Sequence, residues 1–130
     1  KQGCIETFLS GPGLSRDHLA ATGEKRSAAE IAGAAAAGDT GATATLARYA
    51  HRMARALASV VNVLDPDVIV LGGGLSNLAP LYDEVPRLWG RWIFSDHVDT
   101  PLLPPRWGDS SGVRGAAWLF PGNDDPEVTR

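Results

Sequence analysis

One cysteine, Cys4, stands in 130 residues. That excludes an internal disulfide framework and a zinc site built from several cysteines of this chain alone, and it fits a reducing, cytoplasmic setting. Positive charge is in short supply as well. Twelve Lys and Arg face fifteen Asp and Glu, for a net charge of -3, and no basic tail or stripe stands out, so electrostatic binding of nucleic acid is not favoured. No apolar run approaches the roughly 20 residues that cross a bilayer, so no membrane contact is expected, and no charged segment followed by an apolar one opens the chain as a secretory signal would. Histidine is scarce: His18, His51 and His97 lie far apart without ligand spacing and read as surface or helix-face residues. Methionine is missing from the first position, which is Lys1. The chain therefore reads as a piece of a longer protein.

What is present suits one folded domain. Hydrophobic residues make up 44% and charged residues 21%, an ordinary globular mix in which disorder is expected only at the end. Glycine and proline are frequent without a collagen-like period, so they mark turns and close backbone approaches. Ile5 to Leu9 is too short a run to decide helix or strand, and Leu14 to Glu24 is a mixed polar stretch. Ser27-Ala-Ala-Glu30 is a capping box that opens an Ala-rich helix over 28–37, stopped at Gly38. Asp39 or Thr40 caps a helix over 41–63, whose apolar positions Leu46, Tyr49, Met53, Leu57, Val60, Val61 and Leu64 recur three and four apart. Asp65-Pro66 ends it.

Val68 to Leu71 is β-branched and apolar without alternation, which predicts a strand of a parallel sheet buried on both faces. Gly72, Gly73 and Gly74 follow, then a helix over 78–94 that Pro86 should kink. Residues 98–105, with three prolines, predict an edge strand. Gly108 to Gly112 predicts a turn into a last helix over 111–119, capped by Asp109, Ser110 or Ser111. Pro121 to Arg130 reads as a frayed polar tail. Helices alternating with two strands argue for an α/β layer.

Several features could carry chemistry. Gly72, Gly73 and Gly74, after a parallel strand, either let a ligand touch backbone or form a tight strand-to-helix turn; the spacing is neither a dinucleotide fingerprint nor a P-loop. Open α/β sheets bind ligands at the carboxyl ends of their strands. Ser10-Gly-Pro-Gly13 is a plain turn or a loop approaching a ligand. Cys4 reads as a small buried hydrophobe, and Glu6 as a surface charge or a hydroxyl-binding carboxylate. Asp109 is a cap or a neighbour of a bound phosphate. Trp89, Trp92, Trp107 and Trp118 are spaced as packing residues.

Three separated segments resemble one family. Lys1-Gln-Gly-Cys4-Ile-Glu6 is similar to the second half of the zinc motif of the ROK sugar kinases (repressor, open reading frame, kinase), C-x-C-G-x-x-G-C-x-E, which a Ser-Gly-x-Gly loop follows as it does here at Ser10 to Gly13. Asp65 to Gly74 resembles the nucleotide-side strand and loop of that family, and Gly108 to Trp118 its closing helix. The first and last segments are most similar to bacterial ROK fructokinases. The resemblance covers about residues 1–121 in the family's order.

It implies an α/β fold, the C-terminal lobe of an actin-like (ribonuclease-H-like) ATPase, over 1–121, with a polar tail over 122–130. It implies that Cys4 is the last of four structural zinc ligands, the other three being expected before Lys1, that Glu6 binds sugar hydroxyls, and that Gly72, Gly73 and Gly74 lie against the ribose and adenine of ATP. The family's phosphate motif, its catalytic aspartate and its Glu-x-Gly-His sugar motif are not in this sequence and are expected before Lys1, so no catalytic residue is assigned here. The implied reaction of the whole protein is phosphoryl transfer from Mg-ATP to a hexose, fructose at its 6-hydroxyl, in a cytoplasmic homodimer; these 130 residues alone are expected to be inactive. The alternative is a sugar-sensing transcriptional repressor of the same family.

Overall fold

Residues 3–119 are described by the structure, a computed structural model. Helix α1 (Gly11–Thr22) occupies the stretch whose polar mix hid its type. Its start is written in the loop before it: Ser10 is the N-cap and accepts from the Gly13 amide at 3.1 Å, and Pro12 sits in the first turn, where its missing N–H is harmless. Helix α2 (Ala28–Ala36) carries the capping box in full, with Ser27 and Glu30 bonded reciprocally. Helix α3 (Thr40–Leu64) is capped by Asp39, which accepts from the Ala42 amide at 2.8 Å, and it ends before Pro66.

The buried face of α3 differs from the expected one. Val60 and Leu64 are exposed, and the stripe turned to the core adds Ala42, Ala50, Ala54 and Ala58 to Tyr49, Met53 and Val61. Small side chains four apart let α1, α2 and α4 (Pro80–Trp89) pack closely around this one long helix.

Helix α4 is shorter than the expected 78–94 and runs unbroken through Pro86. Proline inside a helix costs about 3 kcal/mol. Leu81, Val85 and Trp89, one turn apart, are all buried, and burying the first two alone contributes about 1.5–3 kcal/mol each. Packing outweighs the lost backbone bond. A single 3₁₀ turn, Gly74–Asn77, lies between Gly73 and α4.

The sheet is parallel, as expected, and smaller. Strand β1 (Ile69–Val70) pairs with β2 (Leu102–Leu103) in the register Ile69 to Leu102 and Val70 to Leu103. The reading of 68–71 as a strand buried on both faces is not met: Ile69 is half-buried, while Val68 and Val70 are exposed. Helices cover one face of the pair, and nothing among the described residues covers the other. The edge strand over 98–105 reduces to its two residues between Pro101 and Pro104, because the prolines cannot donate to a ladder.

Helix α5 (Ser111–Ala117) follows, and the expected side-chain cap is not made. Asp109 instead accepts from Asn77 and Ser110, and Ser111 donates to the Gly108 carbonyl. Trp107 and Trp118 are exposed rather than packed; only Trp89 is buried outright. His18, read as a surface or helix-face residue, lies on the face of α1 turned to the core: it is 1% exposed, with Nδ1 3.0 Å from Thr45 Oγ1. Thr45 Oγ1 also donates to the Gly41 carbonyl at 2.9 Å. The expected frayed tail, 121–130, lies outside the described residues. Among them, no helix is long and apolar enough to cross a membrane.

Candidate functional site

Two glycine-bearing segments that are distant in sequence meet across one cleft. Ser10 and Gly11, at the start of α1, face Gly72, Gly74, Leu75 and Ser76, just beyond the carboxyl end of β1. Leu9, Tyr49, Met53 and Leu71 complete the walls of a cavity of about 330 Å³, the lower end of the range for small-molecule sites. This is the place where an open α/β sheet offers its ligand crevice.

The glycine loop is braced. Gly73 has φ 73° and ψ -178°, a backbone region open essentially to glycine alone. Its carbonyl accepts from the Ser76 amide at 3.0 Å and from Ser76 Oγ at 2.7 Å. Tyr82 donates to the Ser76 carbonyl at 2.7 Å, and burial raises its phenol above the ordinary range. Gly72 and Gly74 need no such backbone: a Cβ on either would point into open space. Their smallness leaves room rather than turning the chain. The Asn77–Asp109 contact brings the turn before α5 against this loop.

Tyr49 enters the site from α3, where periodicity marks it only as core. It is 1% exposed, and its hydroxyl has no hydrogen-bond partner among the described residues. Burial pushes that phenol up to about 12, so it stays protonated at neutral pH.

Cys4 and Glu6 are not brought into the cleft. Both are exposed, so the reading of Cys4 as a buried hydrophobe is not met. Cys4 caps a one-turn 3₁₀ helix, Ile5–Thr7, that carries Glu6. Three contacts fix this turn. Arg16 donates to the Thr7 carbonyl at 2.8 Å, Arg52 lies over the Phe8 ring at 5.6 Å, and Gly13 passes so close that a Cβ there would sit 2.7 Å from the Thr7 carbonyl oxygen. Asp17 holds Arg52 and Arg48 in turn, at 2.7 and 2.8 Å. Burial alone would raise the Asp17 carboxyl, but hydrogen bonds and charge from Arg52 and Arg48 outweigh it and hold the group below the usual range.

Among the described residues no three His, Cys, Asp or Glu side chains gather to hold a metal. A structural zinc takes four ligands, and Cys4 offers one.

A family model described as the ROK family matches residues 1–123. The N-acetyl-D-glucosamine kinase of Vibrio parahaemolyticus is 36% identical over 119 residues, 92% of this chain and 39% of that protein. The chain thus spans well under half the length of this curated relative. A solved ROK family glucokinase from Streptomyces griseus, in complex with glucose and AMPPNP, superposes with a TM-score of 0.79 at 26% identity, covering 92% of this chain and 45% of that one. A ROK family transcriptional regulator, a homolog of the E. coli MLC protein, superposes with 0.66 at 25% identity, over 78% of this chain and 29% of its own. The α/β fold of an actin-like ATPase lobe is thereby shown.

Proposed function

Because the chain belongs to the ROK family, we propose that it is the nucleotide-side part of an ATP-dependent hexose kinase. The observation that carries this is the meeting of Ser10 and Gly11 with Gly72 and Gly74 across one cleft at the end of β1. There Gly72, Gly73 and Gly74 would let the ribose and adenine lie directly on backbone, with Met53, Leu71 and Leu75 against the flat ring. Magnesium would arrive with the nucleotide and neutralise its phosphates. Glu6, held on its 3₁₀ turn by Arg16 and Arg52, would accept from hydroxyls of the sugar, since an ionised carboxylate is a strong acceptor for adjacent O–H groups. Phosphoryl transfer is mostly positioning and charge neutralisation, and these residues supply positioning.

The wording of residues 3–8 and 108–118 supports fructose as the sugar and its 6-hydroxyl as the acceptor. A protein extended to the length of its relatives should therefore turn over fructose in a coupled assay with Mg-ATP. Turnover of glucose or N-acetylglucosamine without fructose would leave the kinase standing and remove the fructose assignment. The likeness to a ROK regulator supports a second reading, a sugar-responsive repressor. Sugar-dependent DNA binding with no turnover on any hexose would establish that one instead. A cytoplasmic homodimer belongs to the kinase reading, and sedimentation of the extended protein as a dimer would support its oligomeric part.

A further inference from the structure

Tyr49 carries a polar atom that the fold leaves without use. The side chain is 1% exposed, its Oη has no partner among the described residues, and it forms part of the cleft wall. Buried hydroxyls are ordinarily paired, and each exception asks for a reason. The other hydroxyls of the cleft have theirs: Ser10 caps α1 and Ser76 donates to the Gly73 carbonyl. A phenylalanine would fill the same space without burying an unpaired group.

We propose that Tyr49 Oη is a specificity-determining hydrogen-bonding group for the nucleoside portion of the nucleotide in this cleft. This rests on the nucleotide reading above and goes one step further, to the part of the ligand that is recognised. The chemistry of the walls separates base and ribose from phosphate. Among the described residues no Lys or Arg lines the cleft, and a phosphate leaving water there would find no opposite charge, at a prohibitive desolvation cost. Met53, Leu71 and Leu75 suit a flat, weakly polar ring, and one neutral hydroxyl among them suits a base nitrogen or a ribose hydroxyl.

The test is calorimetric binding to the full-length protein, wild type and Tyr49→Phe, of two probes: ADP, and tripolyphosphate, which has phosphates and no nucleoside. Tyr49→Phe is expected to raise the Kd of ADP about 5- to 10-fold, the worth of one hydrogen bond, and to leave that of tripolyphosphate within about 2-fold. Its melting temperature should equal or exceed the wild-type value, since an unpaired buried group is removed. An unchanged ADP affinity, or an equal loss for both probes, would overturn the proposal. Deuterium exchange of the wild type with ADP separates the two levels. Protection of residues 9–11 and 71–76 is expected. Its absence would remove the nucleotide from the cleft and the Tyr49 proposal with it, whereas protection together with an unchanged Tyr49→Phe affinity would remove Tyr49 alone.

Discussion

At Gly73 the conformation, not the space, forbids a side chain. A Cβ there meets nothing within 4 Å, yet φ is 73°. Gly73→Ala should therefore destabilise by about 1–3 kcal/mol. Gly72→Ala and Gly74→Ala, whose Cβ positions are also open, should keep wild-type stability and weaken nucleotide binding by narrowing the cleft. Urea unfolding and ADP titration of the three variants check this, and equal stability losses at all three would refute the distinction. Sequence shows three identical glycines; only backbone angles tell the turning one from the two that leave room. Asp17 is a second case. Its lowered carboxyl contributes stability that is complete above the ordinary aspartate range and is lost as pH falls through the lowered value. Asp17→Asn should cost about 1 kcal/mol at neutral pH, not several, because Arg48 and Arg52 are 39% and 38% exposed and water screens them. The gap to wild type should narrow as pH falls below the ordinary aspartate range, read from unfolding curves at stepped pH. A gap that persists in acid would mean packing rather than charge. Neither the Asp17 pairings nor the burial of His18 could be seen in sequence, since each joins α1 to α3 by contacts 27 to 35 residues apart.

Among the elements, α2 and α3 were legible because their caps are local chemistry: Ser27 with Glu30, and Asp39 with the Ala42 amide. The same kind of signal stood at Ser10 and Pro12, but the polar mix of residues 14–24 concealed the helix behind it, although Leu14 and His18, one turn apart, are both buried. Pro86 misled in the opposite direction, since propensity is local and the burial that overrides it is not. Ser10→Ala removes the cap of α1 and should cost about 1 kcal/mol. Because the cap also forms one wall of the cleft, ADP affinity should fall with it. A normal affinity in a measurably destabilised variant would show that this wall is dispensable.

Across the whole molecule, the parallel pairing and the α/β class followed from residues 68–74, while the extent and cover of the sheet did not. Burial on both faces needs a layer packed on each, and among the described residues helices cover only one face of the β1–β2 pair. The cleft was half legible: its two loops each carried glycine signals, but nothing in one-dimensional order says that they face each other, and Tyr49 was concealed by its apolar spacing. The pairing of Ile69 with Leu102 also has a kinetic side. Helices α1, α2 and α3 meet through contacts within residues 11–64, whereas the ladder closes only after the whole of α4 has been laid down between its strands. Ile69 and Leu102 are 33 residues apart, a span like that of the α1–α3 contacts, but the ladder is two residues long and exposed on one face, so it offsets the closure entropy with far less buried surface. The ladder and the cleft beside it are therefore expected to form last in folding and to open first in native-state fluctuation. In hydrogen exchange without ligand, the amides of residues 69–76 should exchange through openings well below the global unfolding free energy, while those of residues 45–58 should require complete unfolding. Equal protection of the two groups would show that the chain opens only as a single unit.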